Sequence, residues 1–213
     1  QVDVNGAQLD LTHSEVISGE MAGIYLQGAG LTPVIQDVHV ADNVKADGRG
    51  YAIFQDNVNM QPSYANLTFS GNDRNEVTLG YFGAVLSQDL TLGGAQFGAY
   101  CGYTLCQLIV PAGITLTVAP GTLLDFRPSF GIGVESGGSL VAIGTPTQPI
   151  TFTSLLAAGG GANQEWMGLW AKAGSSLRLD QCDISYASDT NYGKGGLQID
   201  TDDALVSNCQ IRH

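Results

Sequence analysis

The chain has 213 residues, 44% of them hydrophobic and only 13% charged, with 29 glycines and a formal net charge of −12. That much apolar material fills the core of one domain, which excludes disorder, and the acidic balance repels nucleic-acid phosphates and anionic membranes. No apolar run approaches the roughly 20 residues of a spanning helix, and Gln1 opens the chain with neither Met nor a signal-peptide pattern, so it reads as a mature or excised segment without membrane insertion.

Short runs that alternate apolar and polar residues, interrupted every few positions by Gly, Asn, Asp or Pro, predict strands and turns and leave no room for long helices. In chain order, Gly23-Ile24-Tyr25-Leu26 precedes Pro33-Val34-Ile35-Gln36-Asp37-Val38-His39-Val40, and Ala52-Ile53-Phe54 precedes Pro62-Ser63-Tyr64-Ala65-Asn66-Leu67-Thr68-Phe69. Ile114-Thr115-Leu116-Thr117-Val118 alternates in the same way, and Leu177-Arg178-Leu179-Asp180-Gln181-Cys182-Asp183-Ile184 repeats the longer pattern. A last copy runs from Gly196-Leu197-Gln198-Ile199 into Ala204-Leu205-Val206-Ser207-Asn208-Cys209-Gln210-Ile211.

Alignment of the copies places Ile35, Tyr64, Leu179 and Val206 in one apolar column and Val38, Leu67, Cys182 and Cys209 in a second. Val40, Phe69, Ile184 and Ile211 form a third, and Asp37, Asn66, Gln181 and Asn208 form a polar column between them, with His13 aligned to it. Such side chains suit a sharp bend, because they satisfy local backbone groups and tolerate unusual dihedrals. The copies recur about every 24 to 29 residues, the period of a solenoid, and three short strands fill such a unit. The leucine spacing of a leucine-rich horseshoe is absent. The fold predicted is therefore all-β, a right-handed parallel β-helix of about eight coils, roughly 40 Å long at about 4.8 Å per coil.

From residue 109 onward the runs Ile109-Val110-Pro111-Ala112-Gly113-Ile114-Thr115-Leu116-Thr117-Val118-Ala119-Pro120-Gly121-Thr122, Gly137-Gly138-Ser139-Leu140-Val141-Ala142-Ile143-Gly144-Thr145 and Pro149-Ile150-Thr151-Phe152-Thr153-Ser154 are specific. They resemble the opening of a module in large secreted bacterial proteins with right-handed β-helix repeats of the pectate-lyase-like superfamily. Trp166-Met167-Gly168-Leu169-Trp170 resembles the next coil, and residues 62 to 92 resemble the final coils of a preceding module. The resemblance implies three segments. Residues 1–92 would be the C-terminal coils of one module, 93–107 an irregular loop containing cysteine, and 108–213 the N-terminal coils of the next, in a continuous stack. Both ends lie on strands without a cap, so the partners expected are further coils of the same protein or identical subunits, end to end.

The resemblance also raises an enzyme that cuts acidic polysaccharides, with acidic residues for calcium and a basic residue to remove a proton. Asp200, Asp202 and Asp203 are the candidates for calcium, and with Asp183 for acid/base chemistry; Asp189 lies nearby in sequence. A solvated turn also accounts for Asp202 and Asp203, and no basic partner is evident in the sequence. His39 is expected to point outward between Val38 and Val40, His213 is terminal, and Gly159-Gly160-Gly161 lacks the remainder of a phosphate loop. Trp166, Trp170, Tyr186 and Tyr192 are candidates for stacking on sugars, with packing inside the coils as the alternative.

Four cysteines without a Cys/His cluster argue against structural zinc. Cys101 and Cys106 can close a short ring or stay separate. Cys182 and Cys209, one above the other on successive coils, can form a disulfide or remain stacked thiols. The expectation is a non-catalytic structural or adhesive segment of a secreted or cell-surface β-helix protein, able to stack into a filament and holding no cofactor. The alternatives are a polysaccharide lyase or glycoside hydrolase, and a carbohydrate-binding module.

Overall fold

The structure is a computed structural model that describes residues 1–28, 30–80, 84–99, 106–128, 130–160, 165–189 and 194–212. The chain divides into two compact units, Gln1–Gly80 with Gly94–Gly98, and Tyr81–Gly93 with Ala99–His213. Both are right-handed parallel β-solenoids, about seven turns in all against the eight expected.

In the first unit, Val2–Asn5, Ala22–Gln27, Tyr51–Gln55 and Arg74–Leu79 pair in parallel to form one sheet. Asp10–Ile17 and Val34–Ala41 form a second, followed by Ser63–Ala65 and Thr68–Ser70. The predicted columns are in register: Ile35 lies opposite Tyr64 and Val40 opposite Phe69. Ile35, Val38 and Val40 are buried, whereas Leu67, in the bend before Thr68–Ser70, and Phe69, on that strand at the end of its sheet, are half-buried.

The second unit has three sheets, which each coil visits in turn. One contains Cys106–Val110, Phe130–Val134, Gly168–Ala171 and Leu197–Ile199. The next contains Leu90–Leu92, Thr115–Val118, Ser139–Ile143, Ser176–Asp180 and Asp203–Ser207. The third contains Leu123–Phe126, Ile150–Thr153, Cys182–Ser185 and Gln210–Arg212. Alternation along each strand sends every second residue inward, so stacking builds apolar ladders such as Leu90, Leu116, Leu140 and Leu177, all at most 3% exposed.

The polar column marks the corners. His13, Asp37, Asn66, Gln181 and Asn208 all adopt the left-handed region, with φ from 49° to 54°. One such residue redirects the chain between two extended segments, and Asn and Asp tolerate it at the least steric penalty. A second left-handed column follows five positions later, at Ser18, Asp42, Gly71 and Tyr186. Inside the first unit a buried corner is satisfied by amides. Gly19 N–H donates to Asn43 Oδ1 at 2.6 Å, Asn43 Nδ2 donates to Asn72 Oδ1 at 2.6 Å, and Asn72 Nδ2 donates to the Val40 carbonyl at 2.8 Å.

Two details depart from the sequence reading. The segment 93–107 is not irregular throughout: Gln96–Ala99 and Cys106–Val110 are strands, and Phe97 is buried with its ring 5.9 Å from that of Tyr64. A single helical turn, Leu155–Ala158, interrupts the second unit, capped by Ser154 and by Asp125 Oδ1, which accepts from Leu155 N–H at 2.8 Å.

Candidate functional site

The acidic corner lies on the turn leading into Asp203–Ser207. Asp202, Asp203 and Thr201 line a cleft of about 270 Å³ together with Gly137, Gly174 and Ser175 of earlier turns. The turns stack because Gly113 N–H donates to Gly137 O and Gly137 N–H to Gly174 O, each at 2.8 Å, and Thr201 Oγ1 donates to the Ser175 carbonyl at 2.6 Å. Gly137 and Gly174 have φ near 78°, a conformation that favours glycine at these bends.

Two of the candidate acids are ion-paired to arginines. Arg178, one coil earlier, pairs with Asp203 through Nη2 and donates from Nη1 to the Asp203 backbone oxygen at 3.0 Å. The Arg178 and Ser176 hydrogen bonds hold the Asp203 carboxyl below the usual carboxylate range. Arg212 pairs with Asp183 in the same way, its Nε 3.3 Å from Asp183 Oδ1. Only the repeat offset could have found these pairs, because 25 and 29 residues separate the partners.

Asp183 and Asp203 belong to different sheets of the unit, so the four carboxylates do not converge. Asp200 Oδ2 accepts from Gln198 Nε2 at 2.7 Å, next to the sheet that carries Trp170. Among the described residues no three His, Cys, Asp or Glu side chains are grouped as a metal ion requires. Calcium takes about six to eight oxygens, and an Asp203 committed to an arginine is a poor member of such a cage.

The aromatic candidates separate. Trp166 is fully buried, its ring stacked on Phe126 at 4.3 Å and its Nε1–H donating to the Ser185 carbonyl at 2.9 Å, so it packs the core and offers no face to a ligand. Trp170 is half-buried on the outer side of its sheet, in register between Gly133 and Gln198. Lys172 Nζ lies 5.0 Å from the Trp170 ring centre and 2.6 Å from Glu135 Oε1. Tyr186 is half-buried at a left-handed corner, where its backbone carbonyl accepts from Trp166 N–H at 3.2 Å. Tyr192 and His213 lie outside the described residues, as do Cys101 and the side chains of Cys106 and Asp189.

Cys182 and Cys209 are free thiols in the structure, the first buried and the second half-buried. Burial, reinforced by the neighbouring Cys209, pushes the Cys182 thiol up to about 12. Among the histidines, His13 is exposed with Nε2 3.5 Å from Asp37 Oδ2, and His39 faces outward between the hydroxyls of Thr68 and Ser70 at 2.9 and 3.2 Å.

Other carboxylates act between coils as well. Asp180 Oδ1 accepts from Ser207 and Asn208, Asp37 Oδ1 from Asn66, Asp73 Oδ2 from the backbone of Lys45 and Gly50, and Asp89 Oδ1 from Thr115 N–H, all between 2.8 and 2.9 Å. No helix among the described residues is long and apolar enough to cross a membrane. Compared with models of known families, with curated proteins and with solved structures, the chain matches none.

Proposed function

We propose that this chain is a non-catalytic structural or adhesive segment of an extracellular or cell-surface β-helix protein, of the secreted tandem-module kind its sequence resembles, stacking end to end with further coils. The observation that carries the reading is the placement of its carboxylates. Asp37, Asp73, Asp89, Asp125, Asp180, Asp183 and Asp203 each bind a partner between 23 and 30 residues away, one coil removed. An acid held by an arginine or by backbone N–H groups of the next coil keeps the stack in register. A catalytic pair needs two carboxylates facing one substrate.

The test is to incubate the purified chain with acidic polysaccharides and to follow its assembly by light scattering and electron microscopy. The expected outcome is no cleavage and end-to-end polymers. Turnover that Asp202→Ala abolishes overturns the proposal.

A second reading, a carbohydrate-binding surface, is favoured by the sheet face around Trp170. Trp170 is in register with Gly133, which has no side chain, and with Gln198, whose buried Oε1 has no hydrogen-bond partner among the described residues. A sugar hydroxyl would satisfy that oxygen while a pyranose face packs on the indole. Quenching of tryptophan fluorescence by an oligosaccharide, lost in Trp170→Ala, would favour this reading.

A further inference from the structure

We propose that Cys182 and Cys209 form a modification site at which a low-molecular-weight disulfide closes an inter-coil Cys182–Cys209 bond, fastening Gln210–Arg212 to Cys182–Ser185. The two cysteines precede the register pair Asp183 and Gln210, and so face one another across adjacent parallel strands. Parallel neighbours stand about 4.8 Å apart, inside the roughly 4.4–6.8 Å between Cα atoms that a disulfide spans. Each thiol hydrogen-bonds a backbone carbonyl, Cys182 Sγ donating to Ala142 O at 3.3 Å and Cys209 Sγ to Ser207 O at 3.0 Å.

Polar clasps on either side keep them facing. Before the pair, Ser207 Oγ and Asn208 Nδ2 donate to Asp180 Oδ1 at 2.9 and 2.8 Å. After it, Arg212 holds Asp183. A one-residue slip would break both clasps and would also turn Cys209 away from Cys182.

The exposures assign the order of steps. Cys209 is half-buried and reachable, and Cys182 is 3% exposed. Cys209 loses its proton to solvent and its thiolate attacks one sulfur of the reagent disulfide R–S–S–R, giving the mixed disulfide Cys209–S–S–R and releasing RS⁻. Cys182 then loses its proton, and its thiolate attacks the Cys209 sulfur, forming the inter-coil bond as the second RS⁻ leaves. The two protein thiols give up two electrons, and the reagent disulfide is reduced to two thiols. The raised Cys182 pKa makes the second step slow at neutral pH, so closure accelerates about tenfold per pH unit below the pKa.

The experiment treats the folded, unmodified chain with oxidised glutathione between pH 7 and 9, quenches with acid, alkylates free thiols and maps the peptides by mass spectrometry. The expected product links the peptide carrying Cys182 to the one carrying Cys209, with a mixed disulfide on Cys209 accumulating first. Cys182→Ser should stop at that mixed disulfide, and Cys209→Ser should leave Cys182 unmodified. The proposal is overturned if both thiols stay free in the folded chain, if the adduct on Cys209 persists at pH 9, or if the link forms only in urea.

Discussion

The column that contains Ile184 and Ile211 offers a controlled comparison, because the two residues occupy the same register position one coil apart. Ile184 is fully buried and Ile211 is 52% exposed. Shortening isoleucine to alanine removes three carbons, each worth about 0.8 kcal/mol when buried, or about 2.4 kcal/mol of transfer energy. At Ile184 the surrounding ladder closes over the gap, and the cavity contribution brings the loss for Ile184→Ala to about 3–4 kcal/mol. At Ile211 about half the transfer energy applies and no closed cavity forms, so Ile211→Ala should lose about 1 kcal/mol. Urea unfolding at low protein concentration measures both. The chain's two tryptophans, Trp166 and Trp170, lie in the second unit, and Trp166 hydrogen-bonds the residue after Ile184, so their fluorescence reports this unit. Equal losses for the two variants, at unchanged urea dependence, would refute the assignment of a closed ladder at Ile184 and an open one at Ile211.

In the first unit, Asn43→Ala strips the side-chain acceptor from the buried Gly19 N–H, whereas Asn72 Oδ1 keeps the Asn43 backbone N–H, so the loss should be about 1–3 kcal/mol for the one group left unsatisfied, measurable as a lower midpoint in chemical unfolding. At the left-handed Gln181 corner, Gln181→Gly should be neutral or stabilising by up to about 1 kcal/mol, while Gln181→Val should destabilise by about 1–2 kcal/mol; the opposite order would contradict the dihedral argument. Hydrogen bonds from Asn208 and Ser207 depress the Asp180 carboxyl, and those from Arg178 and Ser176 depress Asp203. Their folded pKa values lie below the unfolded value of about 3.9, so their stabilisation is present above that pH and lost as pH falls through the folded values. Asp180→Asn should therefore flatten the acid limb of a stability–pH profile, and an unchanged limb would show that the clasp does not contribute.

The periodic features of this fold were legible because a solenoid repeats its local requirements. Ile35 with Tyr64, Leu179 with Val206 and Ile184 with Ile211 could be paired from the alternation of apolar residues, since each strand has one inward face and its neighbour sits on that same face. The polar column was legible for the same reason: Asp37, Asn66, Gln181 and Asn208 stand where a left-handed residue is required. The second column is not legible in the sequence because Ser18, Asp42, Gly71 and Tyr186 share no chemistry. A conformation that recurs without a recurring side-chain type leaves no compositional trace. The turn Leu155–Ala158 leaves no periodic trace either, since among the described residues it occurs in one coil.

The site was less legible because its chemistry is distributed by register, and the register depends on coil length. A catalytic motif places its groups at short sequence intervals, so a scan of neighbouring residues finds it. Here Arg178 reaches Asp203 across 25 residues and Arg212 reaches Asp183 across 29, and an insertion of one residue in either intervening turn would separate the partners. Sequence proximity grouped Asp183, Asp200, Asp202 and Asp203 as one cluster, although the coil carries Asp183 and Asp203 to different sheets and gives each its own arginine. The same geometry explains why Trp166 and Trp170, four positions apart in sequence, differ so much. The outward alternation at Trp170 turns its ring from the core, whereas Trp166 lies on the approach to that strand and fills the corner against Phe126. In a coil of this kind the neighbours that matter for chemistry are one turn away, and acids at that spacing hold the stack together by default. Among the described residues of the second unit, Gln198 Oε1, on the residue in register with Trp170, is a buried oxygen without a hydrogen-bond partner.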